Sequence, residues 1–387
     1  MKLEGIHVIV VGAALGGATA SLLLARAGAR VTLLEKVVEP RAVGAGIAIA
    51  ENGLIVLEAL GLGDELARLG VKIDGARVVD GHGGTLLEPR APQPRALMLR
   101  RSDLYGLLHS AVDAAARVEL RVDAEVLRAD PEGFVVLRTE RGETTLHADL
   151  VVGADGVHSR VRDSADFQVD VQRTGVRYAR MLVPEGLARA EEAWTRQGLF
   201  GSFALPGATY AFASAQGPAA HLLESRGDLI EWKQAWAAAY PPAGDVLHSI
   251  ESWDQLLVNE VIRVDCGRYF DGRLVLVGDA AHAMAPNVGQ GGNSAIVDGA
   301  VLTATLREAD TVASALERYD ARRRPAVRKV ADAAERLGKL ASWTNPAAVL
   351  LRNKLLMPIA QSLMGEGAVA TVLQESSADL AQMCALA

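Results

Sequence analysis

The first 35 residues leave the chain little choice of fold. Ile6 to Val11 is a short, mostly apolar run, and Gly12-Ala-Ala-Leu-Gly-Gly17 follows it. A helical pattern from Ala18 to Ala27 ends at Gly28, and Val31 to Leu34 is a second apolar run closed by Glu35. Strand, glycine turn, helix, strand and acid within about 30 residues make a βαβ unit of a parallel sheet. Gly12 serves the tight turn, and Gly17 lets the helix pack closely on the strand. Glu35 stands where an acid binds the two ribose hydroxyls of an adenosine. Ala14 replaces the middle glycine of the fingerprint, so one methyl group must be accommodated where the backbone nears a pyrophosphate. Leu15 in the turn and Lys36 after the acid complete this group of candidate cofactor contacts.

A second glycine-rich stretch lies far away in the chain. Leu274 to Val277 is wholly apolar, which suits a strand buried on both faces. Gly278-Asp-Ala-Ala-His282 breaks it, and Pro286, Gly289, Gly291, Gly292 and Asn293 follow. The Asp279 carboxylate can accept hydrogen bonds from hydroxyls or N–H groups, and the small Ala280 and Ala281 let a ligand come close. Apolar periodicity resumes at Ala295, so a helix is expected to start near Asn293, with its N–H groups and positive dipole end aimed at whatever fills the loop. A third stretch, Leu150 to Arg162, is an apolar strand ending at Gly153, then Asp155-Gly156, Ser159, Arg160 and Arg162. Asp155 can orient this turn, and Arg160 or Arg162 offers positive charge to phosphate.

The string Gly-Asp-Ala-Ala-His-x-x-x-Pro-x-x-Gly-Gln-Gly-x-Asn, with the βαβ fingerprint and Asp-Gly-x-x-Ser-x-x-Arg, resembles the signatures of the FAD-dependent aromatic hydroxylases, the single-component flavoprotein monooxygenases related to p-hydroxybenzoate and salicylate hydroxylases. The resemblance covers roughly residues 6–330. It implies an α/β fold: a Rossmann-like FAD-binding domain (1–75, 97–165 and 263–325), a mainly antiparallel substrate-binding sheet domain (76–96 and 166–262), and a C-terminal helical segment (326–387). It implies bound FAD, transient NADPH or NADH, dioxygen, and an aromatic small-molecule substrate, phenolic or polycyclic, hydroxylated through a C4a-hydroperoxyflavin. It places Arg41 and Arg101 at the flavin, with Arg100 as the alternative to Arg101. It gives Asp155 to FAD, and Gly156, Arg160 and Arg162 to the docking nicotinamide. Pro286 and Gly289 would form the flavin-ring environment, with no protein acid or base assigned. An epoxidase, a Baeyer–Villiger-type oxygenase or a flavoprotein oxidase would share these signatures, and a flavin-binding protein without turnover is the alternative of another class. The Trp-x-Trp-x-x-Ile string of a halogenase is absent.

Composition agrees with a cytoplasmic enzyme of this kind. Half of the 387 residues are apolar, and a net charge of −7 disfavours nucleic acid, which needs a basic face. Two cysteines make neither a disulfide framework nor a metal site. No run reaches the roughly 18 apolar residues of a membrane span.

Residues 76–96 read as a hairpin, and Ser102 as the cap of a helix over 103–116. The region 166–262 reads as strands, with a helix from Leu229 to Tyr240. This region would wall the flavin ring, and Phe203, Tyr210 and Phe212 are the substrate-pocket candidates, with Tyr178 and Arg180 beside them. A helix is expected from Val312 to Arg322, broken at Pro325. The amphipathic pattern of 326–365 is either a membrane-surface helix or one that packs both domains together. Asp279→Ala is expected to lose FAD and destabilise the fold, and Arg101→Ala to weaken FAD retention.

Overall fold

Apolar runs buried on both faces build the first sheet. The computed structural model describes residues 2–38, 45–89, 93–215, 217–363 and 372–386. Its six-stranded sheet has the order Phe270–Asp271, Leu274–Leu276, Leu150–Gly153, His7–Val11, Arg30–Leu34, Val118–Arg121. All neighbours are parallel except the Phe270–Asp271 edge. The strands at the centre need helices on both sides. Leu15–Arg26 and Gly291–Glu308 supply one cover and pack against each other. Small residues set how closely they approach: a Cβ on Gly16 would lie 3.2 Å from the Ala295 Cβ, and one on Gly299 would lie 3.1 Å from the Ala20 Cα.

The second sheet has seven strands in the order Leu257–Cys266, Val169–Val183, Ala208–Ala215, Gly198–Leu205, Glu191–Thr195, Arg77–Asp80, Thr85–Leu87. It is antiparallel apart from the join of Glu191–Thr195 to the expected hairpin. Its register sorts the side chains strictly, because alternate residues face opposite sides. Ala179, Met181, Ala193, Phe200, Ala211 and Ala213 face one way and bury Trp232 and Trp236 of the helix Leu229–Ala239. Tyr178, Arg180, Glu192, Trp194, Tyr210 and Phe212 face the other way, towards the first sheet's loops. Among the described residues two three-stranded sheets complete the strands. One of them, Gly46–Ala50, Ala96–Arg100 and Val71–Lys72, joins the halves.

The helix after the second glycine stretch begins at Gly291, near the expected Asn293. Two expectations about helices are corrected. Ser102 is no cap: the helix Arg101–Ala114 starts two residues before the expected 103, and the Ser102 hydroxyl donates to the neighbouring Asp103 carboxylate instead. The helix Val312–Ala341 runs unbroken through Pro325. An interior proline costs about 3 kcal/mol, and tertiary ties along the whole helix outweigh it. Tyr319 donates to the Leu276 carbonyl, Arg323 to Asp298, and the Ala334 carbonyl accepts from Asn287. Asp332 and Glu335 both pair with Arg263. The helix therefore packs on both halves, and Leu337, Leu340 and Ala341 lie against Tyr178 and Trp194. Among the described residues, no helix is long and apolar enough to cross a membrane, and no three His, Cys, Asp or Glu cluster as metal ligands.

Candidate active site

The site forms where two helices end beside each other and a sheet closes over them. Leu15–Arg26 follows directly on the first strand. Gly12 takes φ +96°, and a Cβ on Gly17 would sit 1.8 Å from the Gly12 carbonyl oxygen, so no other residue fits at 17. Gly291–Glu308 reaches the same place through Gly289 at φ +64°. Neither helix has a side-chain cap or an acidic residue in its first turn. Their first N–H groups and dipoles therefore face one shared region, a setting for phosphate and for an electron-rich carbonyl. A Cβ on Gly292 would lie 3.4 Å from the Leu15 side chain, whereas none of the space beside Gly289 is filled within 4 Å.

Glu35 lies as expected at the end of its strand. One carboxylate oxygen accepts from the Ala13 N–H at 3.0 Å, the other from the Val37 N–H at 3.1 Å. The acid is thus oriented by the backbone, with lone pairs left for hydroxyls. Lys36 is exposed beside it, and Ala14 is the uncapped residue before the helix. Tyr105 stacks on His109 at 4.0 Å, and His109 bonds the Ala13 carbonyl. Among the described residues the buried Tyr105 hydroxyl has no hydrogen-bond partner, and burial with the nearby Glu35 charge pushes its pKa up to about 12.

Asp279 is exposed at the start of a short helical turn. Arg101 feels its charge, together with that of Arg180 and Tyr210. Crowding by protein lowers the Arg101 pKa, and Asp279 opposes that effect. Arg100 points elsewhere, to the Pro206 carbonyl at 3.0 Å. The exposure of Asp279 changes the expectation for Asp279→Ala. The variant should lose FAD while the apo protein stays within about 0.5 kcal/mol of wild type. Flavin absorbance after gel filtration and a melt of the stripped protein measure the two effects separately.

Buried groups behind Asp279 hold its turn. Asp298, wholly buried, accepts from Gly278 N–H at 2.8 Å, bonds His282 Nε2 at 2.6 Å, and takes Arg323 Nε at 2.7 Å. Sequence reading missed this network, although an aspartate inside the apolar run 295–302 was its signal. Asn293 is a further case. Its side chain accepts from Ala50 N–H and donates to the Ala48 and Gly289 carbonyls. It ties strand Gly46–Ala50 to the loop, so only its backbone is left for a ligand.

The Asp155 turn departs in one residue. Asp155 accepts from the Ser159 hydroxyl and from the Arg160 and Val161 N–H groups; burial raises its pKa against these bonds. Gly156, at φ +77°, and Arg160 are open to solvent. Arg162 is not: it is 4% exposed and donates to the Ala280 and Val157 carbonyls. A guanidinium committed to holding two turns together cannot dock a phosphate, and Arg160 is the exposed cation of this turn. Arg41 lies outside the described residues.

The sheet face brings the remaining candidates to the loop. The Tyr210 ring lies under Gly46, where a Cβ would come within 2.6 Å. Phe203 and Phe212 pack with it, their rings 6.3 Å apart and nearly parallel. Arg180 lies over the Tyr178 ring at 5.5 Å. The Tyr178 hydroxyl donates to Asn287 Oδ1 at 2.6 Å, inside the turn Pro286–Val288. A Cβ on Gly338 would meet Asn287 Nδ2 at 2.1 Å, so the long C-terminal helix must carry glycine there to admit that side chain. Pro286 and Gly289 thus sit between the sheet face and the two helix ends.

Two uncapped helix ends, an acid oriented by the backbone at a strand end and an exposed Asp279 on one α/β sheet define a dinucleotide-type flavoprotein, and the cradle of glycines fits FAD. Comparison with known proteins agrees. Residues 5–334 match the family model described as FAD binding domain. The aurachin C monooxygenase/isomerase of Stigmatella aurantiaca is 30% identical over 91% of this chain and 94% of its own length. A probable 2-heptyl-3-hydroxy-4(1H)-quinolone synthase of Rhodococcus erythropolis is 33% identical over 83% of this chain and 85% of its own. The solved structure of a tetrameric 2-methyl-3-hydroxypyridine-5-carboxylic acid oxygenase superposes with TM-score 0.76 at 27% identity, covering 92% of this chain and 97% of that one. The chain belongs to the FAD-dependent aromatic hydroxylases, flavoprotein monooxygenases with FAD as cofactor.

Proposed function

We propose that this protein is an NAD(P)H-dependent hydroxylase of a small aromatic molecule, phenolic or fused-ring. The observation that carries the reading is the meeting of the uncapped Gly291–Glu308 helix end with the aromatic and arginine-bearing face of the second sheet. The chemistry that bound FAD would supply is transfer of two electrons from the nicotinamide to dioxygen, with one oxygen atom placed in a ring C–H bond and the other leaving as water.

The chain's own residues bind, orient and shield. Glu35 would take the adenosine ribose, and the N–H groups at Leu15, Gly16 and Gly17 the pyrophosphate. Asp279 and Arg101 would hold the polar chain between phosphate and flavin ring. The N–H groups at Gly291 and Gly292 would stabilise negative charge at the ring's carbonyl end. Arg160 and Gly156 offer the electron donor an open surface for transient docking, and no second glycine-rich βαβ unit stands in the sequence for a permanent site. Phe203, Tyr210 and Phe212 would line the substrate side and keep water from the reacting atoms.

The test is oxidation of NADPH and of NADH in air by the yellow protein, with and without a 2-alkyl-4-quinolone, hydroxybenzoates and polycyclic phenols. Stimulated oxidation with a product heavier by one oxygen atom supports the reading; product analysis separates ring hydroxylation from epoxidation or ring expansion. Flavin-loaded protein that no compound stimulates overturns it. Arg101→Ala should release FAD at least about tenfold more readily, through the loss of a charge-assisted hydrogen bond. Fluorescence of free flavin after dilution reads this, and unchanged retention would place Arg101 outside the cofactor site.

A further inference from the structure

One carboxylate on the inner face of the second sheet has no role in the site described so far. Glu192 pairs in register with Gly201, Gly201 with Phe212, and Phe212 with Arg180. Residues paired in this way share a face, so Glu192 and Arg180 stand at two ends of one cross-strand row. Three strand spacings of about 4.8 Å separate their backbones by about 14 Å. Between them Gly201 contributes no side chain, and the Phe212 ring leans over it, 2.6 Å from where a Cβ would be. The row sets a carboxylate and a guanidinium at opposite ends of one sheet face, with the Phe212 ring between them.

Glu192 is held in place by protein. Trp194 Nε1 donates to Glu192 Oε1 at 2.6 Å. The indole is itself fixed by the buried Arg352 guanidinium, 5.4 Å from the ring and bonded to the Leu340 and Ala341 carbonyls. Among the described residues Trp194 is the one hydrogen-bond donor to Glu192, and no cation pairs with it. Burial pushes its pKa up to about 7 against the Trp194 bond. A half-buried carboxylate with a single neutral donor lacks hydrogen-bond partners that an occupant can supply. The site lies near the chemistry, because Tyr178, which feels the Glu192 charge, bonds Asn287 in the Pro286–Val288 turn.

We infer that Glu192 is a specificity-determining residue that accepts a hydrogen bond from an O–H or N–H group on the substrate ring, while Arg180 faces a carbonyl or oxyanion at its far end. The inference rests on the hydroxylase reading and narrows it to flat one- or two-ring aromatics with a donor at one end and an anionic or carbonyl oxygen at the other. A hydroxybenzoate and a 4-quinolone with a free ring N–H both meet this description.

The test uses matched probes on the FAD-loaded protein: 2-heptyl-4-quinolone against its N-methyl analogue, and 3-hydroxybenzoate against 3-methoxybenzoate. Binding is read from perturbation of the flavin spectrum, and turnover from product. Wild type should prefer the donor-bearing member of a pair by about tenfold or more, the effect of one hydrogen bond to a charged group. Glu192→Gln keeps an acceptor for Trp194 but not the charge, and Glu192→Leu removes both. Both variants should retain FAD and reduce the preference, with Leu abolishing it. A wild type that turns over a donor-bearing probe while both variants keep the preference overturns this inference and leaves the hydroxylase reading intact. A wild type that neither binds nor turns over any aromatic overturns both.

Discussion

Asp298→Asn should lower the melting temperature by roughly 10 °C and release most of the FAD. The carboxylate is wholly buried and takes a backbone N–H, His282 and Arg323 on its two oxygens. An asparagine has one acceptor oxygen, so its amide must face a donor at Gly278 or the Arg323 cation. Removing one partner of a buried ion pair costs about 3–5 kcal/mol, and a few degrees of melting temperature accompany each kcal/mol. The Gly278 turn that carries Asp279 moves with it, which links the stability loss to cofactor loss. Thermal melts with and without added FAD read both. The same network sets an acid limit. The His282 and Arg323 charges hold Asp298 down at about 2 although burial opposes them. Its folded pKa lies below the usual 3.8 of an unfolded aspartate, so its stabilisation is complete above about pH 4 and is lost as the pH falls towards 2. By linkage the contribution is about 2 kcal/mol. Acid unfolding of the wild type should show this loss, and Asp298→Asn should not. Equal acid sensitivity in both proteins would assign the acid transition to other carboxylates.

Gly17→Ala should abolish the folded, flavin-loaded protein. The added Cβ would lie 1.8 Å from the Gly12 carbonyl oxygen and 3.2 Å from the Ala154 side chain. Both the turn and the parallel strand beside it would have to move, and the obstacle is backbone, which does not rotate away. A loss above about 3 kcal/mol is expected, together with retreat of the helix end from the pyrophosphate. Ala14→Gly is the contrast. Ala14 has φ −77°, where any residue is at ease, so that variant should keep FAD. Soluble yield and flavin-to-protein ratio distinguish the pair; a yellow, soluble Gly17→Ala protein would show that the helix can shift without losing the cofactor.

Local pattern made much of the first domain legible. The βαβ unit, Glu35 and the Gly278 turn each depend on neighbours within a few dozen residues, and the burial of apolar runs forces the parallel sheet around them. The strand character of the second sheet was legible too, because alternation within a strand is local. What the strands placed opposite one another was not. Glu192 reads in sequence as an ordinary acid in a strand, and only the cross-strand register sets it in a row with Phe212 and Arg180. Arg162 read as a phosphate ligand because its spacing fits; folding turned it inward to two carbonyls 5 and 118 residues away. Asn293 likewise read as a ligand contact, and the third dimension assigned its side chain to strand Gly46–Ala50.

The sequence by itself determined the dinucleotide-binding half, its cofactor and its family, because glycine turns, acids and apolar periods act over short stretches. Tertiary structure alone decided which polar groups brace the loops and which face the substrate. It also decided that Val312–Ala341 stays one helix across Pro325. Those outcomes depend on partners tens to hundreds of residues apart, and their energies arise only when both are brought out of water together.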